Sequence, residues 1–199
     1  MELFDYLKNS SAYDISPYVG ELKVAKGEQI YIPGQITFCM YEILSGAIKL
    51  GSYGTQGQEV TYDVLCAPDM FGNLKYLNGK FFEFAESMTE SHLRTYQLDF
   101  FKRIIVEEPV VSEWFNKTTV RRWSQAESRL FHIRSQDKRE KMQSVFDEFN
   151  KRIKDAKGRS HNLFSLLTMN DLGDLTGMTR QTASLILKKI QQGQKKETA

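Results

Sequence analysis

From Leu22 to Leu98 apolar and polar positions alternate in short runs. The alternation is visible in Gln29–Ile32, Met40–Leu44, Ala47–Leu50, Val60–Leu65 and Leu93–Leu98. Turn-forming pairs separate the runs: Pro33-Gly34, Ser45-Gly46, Gly54-Thr55-Gln56-Gly57 and Asn78-Gly79. Nine of the 13 glycines lie between Gly20 and Gly79. Many short strands at near-regular spacing predict a sandwich, jelly roll or barrel rather than a parallel sheet.

The period changes at Asp99, which caps a short predicted helix through Ile105. Pro109 can open the next helix, because the N–H it lacks has no intrahelical partner in a first turn. No Gly or Pro follows until beyond Ser135. Val111, Phe115, Thr118, Trp123, Ala126, Leu130 and Ile133 fall three to five residues apart and predict one apolar stripe. A helix of about 25 residues spans on the order of 37 Å. That exceeds what one small domain covers, so the stripe points to a dimer seam, although Thr119 and Arg122 interrupt a strict heptad. Another helix is expected over Lys138–Lys154, with Met142, Val145, Phe146, Phe149 and Ile153 inward. Asp155–Asn162 reads as a polar loop, and Leu163–Leu167 as a short strand or extended lead-in.

Thr168 and Asp171 have the spacing of a capping box, with Asp in place of Glu or Gln. The helix they open ends where Gly177 can turn left-handed, and Thr179 caps another helix from Arg180 to about Gln191. Ala183, Ile186, Leu187 and Ile190 share one face of it, leaving Arg180, Gln181, Ser184 and Lys188 outward. Two short helices around a tight turn form a helix-turn-helix, whose second helix enters the DNA major groove by its N-terminal end. The DNA-facing set is Thr168, Met169, Thr179, Arg180, Gln181, Thr182, Ser184 and Lys188. In it Arg180 suits guanine O6 and N7 and Gln181 a base edge, while Thr168, Thr179 and Lys188 suit phosphates.

Charge divides the chain in the same way. Residues 1–120 hold 10 Lys and Arg against 16 Asp and Glu, whereas residues 121–199 hold 17 against 9. The basic part suits an anionic partner. With 41% hydrophobic residues the composition is that of a globular protein, and no apolar run is long enough for a bilayer. No secretory leader is visible, so the expected place is the cytoplasm. His92, His132 and His161 are scattered, and no Ser-His-Asp set or nucleotide loop stands out, which argues against an enzyme and against a metal centre. Cys39 and Cys66 read as buried thiols, with a redox pair as the alternative.

The chain resembles the cyclic-AMP receptor protein/fumarate-nitrate regulator (Crp/Fnr) family of bacterial transcription regulators over about residues 5–192. The resemblance rests on Lys26-Gly27-Glu28, Pro33-Gly34, Tyr41–Lys49 and Pro68-Asp69-Met70-Phe71-Gly72. It continues through Leu167-Thr168-Met169, Leu172-Gly173, Gly177–Thr182 and Leu187-Lys188. It implies an α+β chain with a jelly roll of the cyclic-nucleotide-binding type (1–108), a long dimerisation helix (109–135) and a helix-turn-helix unit (136–199). The implied protein is a homodimer on near-palindromic double-stranded DNA, with RNA polymerase as a further partner and no membrane. A ligand or partner sensor without DNA function, on the same fold, is the alternative.

The resemblance places the effector pocket around Phe71, Gly72, Asn73, Leu74, Glu83, Phe84 and Ala85. Family members that bind cyclic AMP carry a Glu where Asn73 stands and an Arg-Ser pair near Glu83-Phe84. A carboxylate repels a phosphate and Phe84 brings no hydroxyl, so tight cyclic-AMP binding is not expected. An iron–sulfur cluster is not expected from two cysteines. His92 as a haem ligand is outweighed by a structural role, so no cofactor is assigned and the effector stays open. Leu185 occupies the position of a second basic residue in many relatives, and the segment after Gln191 is too short and polar for the family's terminal two-stranded wing. The wing is therefore truncated or absent, with loss of its phosphate contacts.

Overall fold

The computed structural model describes residues 2–10, 12–35, 37–74, 82–135 and 137–197, the side chains of 135, 191 and 193–197 excepted. The turn expected at Asn78-Gly79 lies outside the described residues. A first helix, α1 (Leu3–Asn9), precedes eight strands. These are β1 (Val19–Val24), β2 (Gln29–Tyr31), β3 (Cys39–Ser45), β4 (Ala47–Tyr53), β5 (Glu59–Cys66), β6 (Met70–Phe71), β7 (Phe84–Ser87) and β8 (Ser91–Gln97). They form two antiparallel sheets, ordered β1-β8-β3-β6 and β2-β7-β4-β5, which is a jelly roll.

Between the sheets, Tyr31, Tyr41, Ile43, Ile48, Leu50, Phe71 and Leu93 make a filled core. Strand β3 is buried almost continuously rather than alternately, because helices cover its outer face. Met40 joins Leu3, Leu7, Tyr96 and Phe101 there, and Glu42 is sustained inside by Arg94 at 3.1 Å and the Tyr96 hydroxyl at 2.7 Å.

Helix α2 (Leu98–Glu107) starts two residues earlier than expected, so Asp99 sits in its first turn and Gln97 at the cap position. Helix α3 spans Pro109–Ser135. Its seven predicted stripe residues differ in exposure along the helix. Val111 is fully buried and Phe115, Thr118 and Ile133 are half-buried against the chain itself, whereas Trp123, Ala126 and Leu130 are exposed.

Helix α4 (Lys138–Phe149) ends before the expected Lys154. Beyond it β9 (Arg152–Lys154) pairs with β10 (Ser160–Asn162), so the predicted polar loop is mostly the tip of a hairpin. Phe164–Leu166 is a 3₁₀ turn rather than a strand. Helices α5 (Met169–Thr176) and α6 (Arg180–Glu197) complete the chain. Helix α6 runs on through Gly193, and no strand follows it among the described residues.

The helical unit is packed against the jelly roll through a shared apolar core. Ala47, Val64, Cys66 and Met88 of the strands join Met142, Val145, Phe149, Leu172 and Leu175. Hairpin and strands are also bonded, from Gly46 N–H to the Lys154 carbonyl and from Ala156 N–H to the Glu90 carbonyl, each at 2.8 Å.

Candidate nucleic-acid interface and effector cavity

The Thr168 hydroxyl accepts from Asp171 N–H at 3.1 Å, and the Asp171 carboxylate accepts from Thr168 N–H at 2.8 Å, closing the capping box. Gly177 ends α5 in the left-handed conformation (φ 66°, ψ 29°), and Met178 N–H then reaches the Gly173 carbonyl at 2.8 Å. A residue with a side chain is strained at such a φ. A Cβ there would also lie 2.8 Å from the Ile133 side chain, so Gly177 lets the turn abut α3. Thr179 starts α6 by accepting from Thr182 N–H at 3.2 Å.

Ala183 is fully buried beneath α6, which fixes its rotation. Thr168, Thr179, Arg180, Gln181 and Lys188 are exposed, and Thr182 and Ser184 are half-buried. Met169 instead packs on the core of the helical unit, away from the outward set. Leu185 adds an exposed apolar side chain to the outer face of α6.

A second concavity of about 550 Å³ lies between the jelly roll and α3. Phe71, Gly72, Asn73 and Leu74 line it as expected. Glu83, Phe84 and Ala85 do not. The Tyr31 and Tyr62 hydroxyls both donate to Glu83, whose pKa burial pushes above the ordinary carboxylate range. Phe84 fills the space a side chain at Gly51 would take, and Ala85 belongs to the core between the sheets. Phe115, Thr118, Trp123 and Ala126 of the predicted stripe line the cavity too, and the remaining wall was not read as part of a pocket: Met40, Tyr62, Asp63, Met70, Phe101, Trp114, Thr119, Arg122 and Arg129. Its one legible trace was Arg122, which breaks the apolar pattern of the long helix and recurs seven residues later as Arg129.

These two arginines converge on β5. Arg122 donates to Asp63 at 3.3 Å and to the Met70 carbonyl at 3.0 Å. Arg129 donates to Asp63 at 3.2 Å, to the Tyr62 carbonyl and to Glu148 of α4. Burial works against the Arg129 cation, but Asp63 and Glu148 more than reverse this and raise its pKa. The cysteines stand apart as free thiols, each pushed up by burial, and His92 is engaged by Glu21 at 2.8 Å.

Residues 21–108 match the cyclic nucleotide-binding domain family. Over 186 residues the chain is 21% identical to a CRP-like cAMP-activated global transcriptional regulator of Mycobacterium tuberculosis, covering 93% of this chain and 83% of that protein. The cyclic-nucleotide-binding match and the similarity to a CRP-like regulator agree over the jelly roll. Solved structures show the same fold at low identity. FixK2 from Bradyrhizobium japonicum superposes with a TM-score of 0.73 at 16% identity, over 88% of this chain and 85% of that one. A Crp/Fnr-family putative regulator from Eubacterium rectale gives 0.70 at 17% identity, over 96% and 87%. The matched domain is the jelly roll with α2, and the helix-turn-helix lies beyond it.

Proposed function

We propose that this chain is a homodimeric, sequence-specific DNA-binding transcription regulator of the Crp/Fnr family and not an enzyme. Its units are the jelly roll (1–108), the dimerisation helix (109–135) and the DNA-binding unit (136–199). The observation that carries the reading is the start of α6, where a turn fixed by Gly177 presents Arg180 and Gln181 to solvent at a helix N-terminus. Arg180 and Gln181 read base edges, supported by Ser184 and Thr182, while Thr168, Thr179 and Lys188 hold phosphates.

Dimerisation uses the outer face of α3, where Val120, Trp123, Leu130 and Phe131 are all more than half exposed. An apolar face of this kind marks an interaction site. Two recognition helices on a twofold axis read half-sites about 34–36 Å apart, and so a near-palindrome. Among the described residues no helix is long and apolar enough to cross a membrane, and the cytoplasm is the proposed place of action. RNA polymerase is the natural further partner of such a regulator.

The effector site is the cavity under α3, and its ligand is not cyclic AMP. Asn73 stands in place of the ribose-binding Glu, and Glu83 and Phe84 stand in place of the phosphate-binding pair. The space between the sheets is already filled by Tyr31, Tyr41 and Phe71. Titration of cyclic AMP by calorimetry tests this, and micromolar or tighter binding would refute it.

Selection of genomic fragments on the purified protein tests the main reading. Enrichment of a near-palindrome supports it. The exposed Leu185 on the outer face of α6 favours one rival, a sensor module without DNA function. No enrichment even at low salt would select that rival.

A further inference from the structure

The outer face of α6 carries one large apolar side chain. Ala183 is fully buried beneath the helix, and Leu185 follows two residues later, about 200° round at 3.6 residues per turn. Leu185 therefore stands nearly opposite the packed side, and it is 53% exposed. Its neighbours on that face are polar and exposed: Gln181 one turn before it, and Lys188 and Lys189 one turn after it. A single leucine in water needs no explanation. In a DNA groove it does. Ala183 fixes the rotation of α6, so an approach that brings Gln181 to the bases brings Leu185 with it. Base edges in the major groove present donors and acceptors, and the apolar group they offer is the C5-methyl of thymine. A leucine pressed on any other edge strips water from a polar group and gives no hydrogen bond in return.

We propose that Leu185 is a specificity-determining residue that packs on the C5-methyl of one thymine in each half-site. This rests on the reading of α6 as the recognition helix and adds a base to what that helix reads. Five residues separate Leu185 from Arg180, about 7.5 Å along the helix axis, or on the order of two base-pair steps. The thymine accordingly lies about two steps from the guanine that Arg180 reads. The group recognised is the methyl, so a 5-methylcytosine at that step binds better than a cytosine.

The test takes an enriched fragment and replaces its thymines by deoxyuridine, which differs only in lacking the methyl, one position at a time in both half-sites. Affinity is read by anisotropy at a single salt concentration. One position is expected to weaken binding roughly fourfold per half-site, the worth of one buried methyl, with the others nearly unchanged. At that position 5-methylcytosine is expected to exceed cytosine by a similar factor. Leu185→Ala withdraws the side chain and keeps a good helix former, and is expected to equalise thymine and deoxyuridine there while the Arg180 preference persists. Leu185→Met keeps an apolar side chain of similar reach and is expected to keep the difference. Equal binding of thymine and deoxyuridine at every position, or a difference that survives Leu185→Ala, would overturn the proposal and leave the DNA-binding reading intact. The wild-type scan decides by itself should a variant fail to fold. If no fragment is retained at all, the recognition-helix reading fails and this proposal falls with it.

Discussion

The hydroxyl of Thr61 on β5 donates a 2.7 Å hydrogen bond to the carboxylate of Asp171 on α5, and both residues are buried. Thr61 N–H donates to Asp174 at 2.9 Å. Asp171 therefore serves twice, closing the capping box of the first helix-turn-helix helix and anchoring that helix to the jelly roll. Thr61→Val removes the hydroxyl, keeps the shape and leaves the Asp174 bond in place. A buried hydrogen bond to a carboxylate is worth roughly 1.5–3 kcal/mol. Urea unfolding should show a loss of that size, and a loss under about 0.5 kcal/mol would mean the contact does not hold the units together.

Gly177 and Gly158 both have positive φ, at 66° and 77°, but only Gly177 has a neighbour where a Cβ would go. Gly158→Ala should cost about 1 kcal/mol of conformational strain. Gly177→Ala adds the collision with Ile133 and should cost at least about twice as much. Thermal unfolding of the two variants side by side checks the difference, and equal shifts would contradict the packing of the turn on α3.

Asp155 in the hairpin gives a pH dependence. Burial pushes its pKa up, but hydrogen bonds from His161, from the Arg159 side chain and from the N–H groups of Arg159 and Lys157 pull it further down, for a net lowering below 3.8. A carboxylate depressed in the folded state adds stability above its unfolded pKa and loses it as pH falls through the folded value. Asp155→Asn should therefore be less stable than the wild type near neutrality. The gap should begin to close as pH falls below about 4. A gap that persists unchanged into strong acid would assign the effect to shape rather than charge.

The exposed face of α3 makes a prediction about assembly. Val120 and Leu130 are 59% and 57% exposed and line no described cavity, so changing both to Glu leaves the fold's own contacts nearly untouched. Under the dimer proposal they are buried between two copies, where losing such anchors costs about 2 kcal/mol or more each. Sedimentation should show a dimer for the wild type and a 23.0 kDa monomer for the double variant, with unchanged circular dichroism. A wild type that is monomeric at tens of micromolar would contradict the seam.

What was legible in the sequence was local. Thr168 with Asp171, and Gly177 with Thr179, act over three or four residues, and their side chains meet the backbone of the same turn. The two-sheet jelly roll was legible because alternation and turn pairs recur along the first 98 residues. Phe149 and Ile153 have helical spacing, yet the chain breaks at Asn150 and Ile153 belongs to a hairpin, since the pattern alone does not mark where hydrogen bonding ends. The cavity wall was hidden for a different reason. Arg129 acquires its role only when Asp63 and Glu148 arrive from a strand and another helix, 66 and 19 residues away. No local pattern encodes that meeting.

The central claim is base readout by α6, and the most direct test is fluorescence anisotropy of an enriched DNA fragment at two salt concentrations. The comparison is wild type against Arg180→Ala and Lys188→Ala. Arg180→Ala should lose roughly 1–3 kcal/mol of discrimination at one base pair per half-site. Lys188→Ala should weaken all sequences alike and lower the salt slope by about one. If both variants bind every fragment as the wild type does, α6 does not read DNA and the account is wrong.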